Sequence, residues 1–302
     1  MDDRLKEECG IFGVYNHPEA SALVALGLHA LQHRGQEACG INSFDGKNFY
    51  LIKRRGLVGD NFTDPKIIEQ LKGYTAIGHN RYSTTGAPLI RNIQPFFADL
   101  HTGGVGIAHN GNLTNAISIR EKMVKDGAIF QTTSDTETLV QLIARSKRVK
   151  TIDKIIDAIF QVHGGYALTI MTNKKLVGVR DPYGIRPLIL GKLNDSYILS
   201  SETCALDIIG AEYVREIENG EMVVIDKNGI ESIKPFPKVK PRPCVFEYVY
   251  FSRPDSIVGG KAVHEYRKRL GEQLSKEMKV EADMVSAAVS YTHLTLPTSD
   301  LV

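Results

Sequence analysis

Cysteine is scarce in this chain, with four in 302 residues, at positions 9, 39, 204 and 244. Thiols so widely spaced argue against a disulfide framework, leaving thiol chemistry or metal binding open. A dominant charge is also lacking. Lys+Arg 37 against Asp+Glu 35 leaves a net charge of +2, too balanced a surface to argue for nucleic acid or a membrane as partner. No apolar run reaches the ~18 residues of a membrane span, and the opening MDDRLKEE carries too much mixed charge for a signal peptide. A cytoplasmic protein is expected. No repeat recurs at a fixed period, so a solenoid or array is not expected.

One further absence concerns Cys9. KEECGIFG places it before a small apolar run with no histidine beside it, yet a free thiol of pKa near ~8.5 is only slightly ionised at neutral pH and needs a base or a positive pocket to act as a nucleophile.

What is present is a soluble globular composition, 42% hydrophobic and 24% charged, long enough for one large domain or two ordinary ones. GIFGVYN reads as a strand and SALVALGLHALQHRG as a helix closing near a glycine; AIGHNRY and GVGIAHNG read as strands entering polar, glycine-bearing loops. TNAISIREKMVKDG, SDTETLVQLIARS and TIDKIIDAIFQV read as helices, the second opened by a capping box from Ser134 to Glu137. Strand-like runs follow, YALTIMTN, KKLVGVRD, RPLILGK, SYILSS and EMVVID, separated by turn signals. Strands in runs with helices grouped elsewhere predict mostly antiparallel sheets under helical layers. KPFPKVKPRPC is the best linker, because its four prolines fit neither a helix interior nor a central strand. Beyond it come VFEYVYFSRPDSIVGG and a basic helix, HEYRKRLGEQLSKEM. From about residue 286 the periodicity is lost, which suggests a non-native tail.

Several stretches can carry chemistry. In GHNRYSTTG, Arg81 offers a planar fork for a carboxylate beside hydroxyl donors, or is simply a solvated arginine at a turn. In AHNGN, Asn110 and the Gly111 N–H could converge on an oxyanion; Asn-Gly is equally a hairpin signal, although a helix follows it. Asp135 could pair with an ammonium group opposite Arg81, or merely complement a helix dipole. LQHRGQE places His33 and Arg34 at a helix end, where cations are ordinary. DPYGIRP reads chiefly as a hairpin turn.

Taken together and in order, ECGIFGVYNH, LQHRGQE, GHNRYSTTG, HNGNL, SDTE, VRDPYGIRPL, SSETCALD and CVFEYVYFSRPDS resemble the N-terminal half of the amidophosphoribosyltransferase family, over residues 9 to about 285. The resemblance implies an α+β fold, a four-layer αββα sandwich of the N-terminal nucleophile (Ntn) type, followed by the start of a truncated α/β phosphoribosyltransferase domain. It divides the chain into a propeptide (1–8), a glutamine amidotransferase domain (9–235), a linker with an incomplete second domain (236–285), and the tail (286–302). It implies glutamine hydrolysis by Cys9 once cleavage frees its α-amino group as base. Arg34 and Gly35 position the cysteine and the substrate amide, and Asn110 and Gly111 hold the oxyanion. Arg81 and Asp135 bind the glutamine carboxylate and ammonium, with His79, Tyr82, Ser83 and Thr84 on a loop that closes over it.

For the full-length parent the resemblance implies transfer of ammonia to phosphoribosyl pyrophosphate with Mg²⁺, as a homo-oligomer, in the first step of de novo purine synthesis. Some members carry a 4Fe-4S cluster, with one ligand at the position of Cys244. A cluster needs four thiolates, and with Cys9 reserved as nucleophile this chain cannot complete one; Cys39 and Cys204 read as core residues. The acidic loop that grips pyrophosphate is missing, so this chain is expected at most to hydrolyse glutamine. The alternatives are the glutaminase domain of a glucosamine-6-phosphate synthase, against which HNRYSTTG speaks, and an inactive fragment with VFEYVYF exposed.

Overall fold

In the computed structural model the described residues are 9–82, 89–278, 281 and 283. Residues 1–8, expected as a propeptide, Ser83, Thr84 and the expected tail, 286–302, therefore lie outside them. Two antiparallel sheets dominate. The first holds β1 (Gly10–Tyr15), β2 (Ala38–Phe44), β3 (Phe49–Arg55), β4 (Thr75–Arg81), β9 (Ile189–Leu193), β10 (Ser196–Ser200) and β11 (Glu212–Glu216), in the order β11-β9-β10-β1-β4-β2-β3. The second holds β5 (Phe96–Leu100), β6 (Gly103–Leu113), β7 (Gly164–Thr172), β8 (Leu176–Arg180), β12 (Met222–Asp226) and β13 (Gly229–Ile233), in the order β13-β12-β8-β7-β6-β5.

Three apolar clusters separate four layers. Outside the first sheet, α1 (Ala20–Ala30) and the short turns α2 (Val58–Asn61), α3 (Pro65–Ile68) and α7 (Cys204–Asp207) pack on Phe12, Val14 and Ala76. Between the sheets lie Ile11, Ile77, Ala108, Ala167, Leu199 and Val223. Outside the second sheet, α4 (Ala116–Lys125), α5 (Thr136–Arg145) and α6 (Thr151–Ile159) cover Val105, Ile107 and Leu168. This is the expected αββα sandwich. β1 is apolar on both faces because it is buried on both, and Gly27 and Gly78 let α1 sit close: a β-carbon on either would fall 2.5–2.6 Å from Phe12 or Val24.

Several elements escape the sequence reading. β2 (ACGINSF) contains Gly, Asn and Ser, and β3 (FYLIKRR) ends in charges, so both are weak strand signals; yet β2 is buried throughout, locked between β4 and β3. The first helix ends at Ala30, and Gln32–Arg34 form a 3₁₀ turn. There Gln32 Oε1 accepts from Val58 N–H at 2.7 Å, and the Arg34 side chain is drawn into buried ion pairs. AHNGN does not leave the sheet as a loop, since β6 runs on through it to Leu113. The capping box does not form: the Glu137 carboxylate accepts from the Gln131 and Thr132 N–H groups at 2.8 and 2.7 Å, while Ser134 N–H donates to Thr132 Oγ1.

The compact unit that holds the sandwich continues to Val263, past the boundary expected at 235. It takes in a π-helical turn, Glu247–Phe251, of which Glu247 and Phe251 are buried. The second unit contains most of α8 (Val263–Glu277), whose Leu270 and Leu274 are exposed. None of the described helices is long and apolar enough to cross a membrane.

Candidate active site

Cys9 lies at the start of β1. Gly10 pairs with Asn80, which sets Cys9 beside Arg81 at the end of β4. The Cys9 Sγ donates to the Tyr82 carbonyl at 3.7 Å, and only 8% of the residue is exposed. Burial pushes the thiol up to about 11, outweighing the opposing backbone contact with Tyr82 and the positive charges of Arg186 and Arg81; Asp135 pushes the same way as burial. Cys9 is therefore a protonated thiol at neutral pH and needs a base, as its neighbours in the sequence suggested.

Arg81 closes β4 at 6% exposure, and burial lowers its pKa against the pull of Cys9 and Glu37. Gly35 must be glycine for steric reasons, since a β-carbon there would meet the Arg81 carbonyl carbon at 2.6 Å. A cavity of about 120 Å³ opens beside Arg81, lined also by Glu37, Ala38, Arg55, Leu89 and Ile93. Larger depressions elsewhere, such as one of about 650 Å³ among α4, α5 and α6, include none of the site residues.

His79 stands inside β4, fully buried between the sheets, and not on a closing loop as expected. Its Nε2 bonds the His109 carbonyl at 3.1 Å, tying β4 to β6. Burial, with help from the His109 and Arg81 charges, pulls its pKa down to about 3, so the ring is neutral at physiological pH. Two residues past His79 come Arg81 and, across the strand pair, Cys9; one and two past His109 come Asn110 and Gly111. Both sets sit at one end of the sandwich.

The Asn110 amide is fully buried, on the inter-sheet face, and neither its nitrogen nor its oxygen has a hydrogen-bond partner among the described residues. Such an amide costs free energy unless a ligand or water satisfies it. Gly111 has φ +142, and a β-carbon would lie 2.1 Å from the Gly165 carbonyl oxygen, so glycine is required. Asp135 caps this end. Its Oδ2 accepts from Leu113 N–H at 2.9 Å, its Oδ1 lies 3.8 Å from His109 Nδ1, and its charge reaches Cys9 with sign opposite to that of Arg81. The site thus presents a positive and a negative group on either side of a thiol.

Arg34, expected to position the cysteine, lies against the start of β1 with its charge paired away from solvent. Its guanidinium is fully buried, with Nε on Glu202 Oε1 at 2.7 Å and Nη2 on Glu247. Its stem packs on the residue after Cys9: a β-carbon on Gly10 would sit 3.6 Å from Arg34 Cβ. Arg186, Glu202 and Glu247 belong to the same neighbourhood, and sequence reasoning missed them. The signal lay in VFEYVYF, where one acid inside an apolar run demands a buried partner. Cys39 and Cys204 are buried thiols pushed up by desolvation, Cys39 to about 12, as core residues are. Cys244 is half-buried, and among the described residues no group of three His, Cys, Asp or Glu side chains could hold a metal ion.

Residues 79–207 match the glutamine amidotransferase domain. Over 288 residues the chain is 55% identical to an amidophosphoribosyltransferase of Rhizobium etli, covering 94% of this chain and 58% of that one. It is 43% identical to the Bacillus subtilis amidophosphoribosyltransferase over 96% of this chain and 63% of the relative. Among solved structures, the B. subtilis glutamine phosphoribosylpyrophosphate amidotransferase in complex with ADP and GMP superposes with a TM-score of 0.86 at 43% identity, over 91% of this chain and 60% of that one. The chain thus spans about three fifths of the length of these relatives.

Proposed function

We propose that this chain, which corresponds to the N-terminal part of the amidophosphoribosyltransferases and carries their glutamine amidotransferase domain, hydrolyses glutamine with Cys9 as an N-terminal nucleophile. Removal of residues 1–8 exposes the Cys9 α-amino group, whose pKa of about 7.7 to 8.0 leaves part of it neutral near pH 7. It takes the thiol proton, and the sulfur attacks the side-chain amide carbon of glutamine. Asn110 Nδ2 and the Gly111 N–H hold the oxyanion of the tetrahedral intermediate. The α-ammonium returns the proton to the leaving nitrogen, ammonia departs, and water cleaves the thioester to give glutamate. Arg81 takes the substrate carboxylate and Asp135 its ammonium. Tyr82, Ser83 and Thr84 contribute to glutamine binding, and His79 is a neutral strut that ties β4 to β6. Arg34 and Gly35 position the Cys9 terminus.

The observation that carries this reading is the orphaned, fully buried Asn110 amide at the end of the sandwich where Cys9, Arg81 and Asp135 meet. In the longer parent protein, we propose, ammonia passes to phosphoribosyl pyrophosphate to give 5-phosphoribosylamine in the cytoplasm, in a homo-oligomer, with Mg²⁺ bound by the part beyond this chain. Cys244, the position of one 4Fe-4S ligand in some members, is half-buried; the other three ligands would come from the part beyond this chain, and no step runs through a cluster.

Intact mass and glutamate release test the reading together. Loss of residues 1–8, glutamate formed from glutamine, and loss of that activity in Cys9→Ala are expected. A retained N-terminus with undiminished glutaminase activity would overturn the α-amino base.

A further inference from the structure

Four buried charges converge on the start of β1 from four separate stretches of chain, and the proposed reaction does not use their pairing. Arg34 stands against Gly10, the residue after Cys9. Ile11 exchanges hydrogen bonds with Ser201, its N–H on Ser201 Oγ at 3.0 Å and its carbonyl accepting from Ser201 N–H at 3.1 Å; Glu202 is the next residue. Glu202 accepts from Arg34 Nε at 2.7 Å, from His33 Nε2 at 2.7 Å and from Ser256 Oγ at 2.7 Å. Glu247 bridges the two arginines: it accepts from Arg34 and, at 3.3 Å, from Arg186 Nη1, with Ser252 Oγ at 2.8 Å. Arg186 lies 5.2 Å from the Phe251 ring centre. None of the four charged residues is more than 3% exposed.

As a stabilising device this quartet is inefficient, because desolvating four charges offsets most of what their pairing returns. As a source of potential at a neighbouring group it is effective, since a fixed charge acts strongly where water is excluded. Glu247 comes from beyond the proline linker, yet it pairs with Arg186, a cation whose charge acts on the Cys9 thiol.

We propose that Arg186 is a positioning residue that favours the thiolate of Cys9, and that Glu247 holds Arg186 in place while moderating its field. The nucleophile is then tuned by residues 186 and 247, and the segment containing Glu247 is a working part of the glutaminase. The proposal rests on Cys9 as the nucleophile. Arg186, Arg81 and Asp135 act on Cys9 directly; the other charged groups packed at this end of β1 are Arg34, His33, Glu202 and Glu247, joined after cleavage by the α-amino group of Cys9 itself. His79 is buried and neutral beside them.

The test is the rate of Cys9 alkylation by iodoacetamide as a function of pH, resolved from the other cysteines by peptide mass spectrometry, on the full chain. Arg186→Gln removes a positive charge and is expected to move the labelling midpoint to higher pH. Glu247→Gln removes a negative one and is expected to move it lower. At near-neutral pH the labelling rates should change in opposite directions, by about three- to tenfold each. Arg186→Lys should stay near the parent midpoint, and Arg186→Gln combined with Glu247→Gln should return toward it, which keeps the test available if a single variant fails to fold. Slower labelling at every pH with unmoved midpoints, or shifts of the same sign, would overturn the proposal by assigning the quartet a purely structural role. Opposite shifts in a chain that releases no glutamate would instead uphold the electrostatic coupling and sink the glutaminase reading.

Discussion

Replacing Asn110 with leucine, which has nearly the same shape, separates what a residue does for the fold from what it does for the site. The amide is fully buried and makes no hydrogen bond among the described residues. Leaving a buried polar group unpaired costs about 1–3 kcal/mol, and an isosteric apolar side chain removes that penalty while keeping the packed volume. Asn110→Leu should therefore be as stable as the parent or up to about 2 kcal/mol more stable in denaturant unfolding. Its glutaminase activity should fall by about 10²–10³, the cost of losing one oxyanion donor. Asn42 provides the control. Its amide is equally buried and unpartnered, but it faces Gly106, four residues back along β6, or roughly 13 Å at the rise of a strand. Asn42→Leu should match the stability change and leave activity within about twofold. If Asn110→Leu kept full activity, or if both variants lost activity alike, the assignment of Asn110 to the oxyanion would be refuted.

Arg34→Met removes the cation shared by two buried carboxylates, and uncompensated buried charge of this kind costs about 3–5 kcal/mol; equilibrium unfolding should show a loss of that order, with partial recovery when Glu202→Gln is added. Acid provides a second check on the same cluster. Burial alone would raise the Glu202 carboxyl, but Arg34 and His33 hold it down to about 2, against 4.5 for the ordinary group. Its contribution is complete above about pH 4.5 and is lost as the pH falls toward 2. Stability plotted against pH should fall across that window in the parent and more gently in Glu202→Gln; equal slopes would contradict the pairing.

The VFEYVYF segment is apolar in sequence but only partly exposed. Val245, Val249 and Tyr250 are exposed, but Glu247 and Phe251 of the same turn are buried. The segment is therefore anchored by charge within the compact unit that holds Cys9.

Much of the architecture was legible from pattern. The 3.6-residue period of α5 and α6, the apolar β1 and the paired runs from Gly164 to Asp226 announce themselves because each is a local consequence of burying one face or two. The motifs around Cys9, Arg81, Asn110 and Asp135 were equally visible, since their residue types already limit the chemistry. What only the tertiary structure decided is of another kind. Whether β2 is a strand and whether His79 sits on a loop or between sheets depend on partners distant in sequence, as does the capture of Arg34 by Glu202 and Glu247. The protonated state of Cys9 belongs here as well: its neighbours in KEECGIFG establish that a base is lacking, but the burial that drives the thiol up to about 11, and the charges of Arg186, Arg81 and Asp135 that act on it, come from chain 70 to 180 residues away. Local pattern governs which elements form; desolvation and long-range charge govern what the residues at their ends can do.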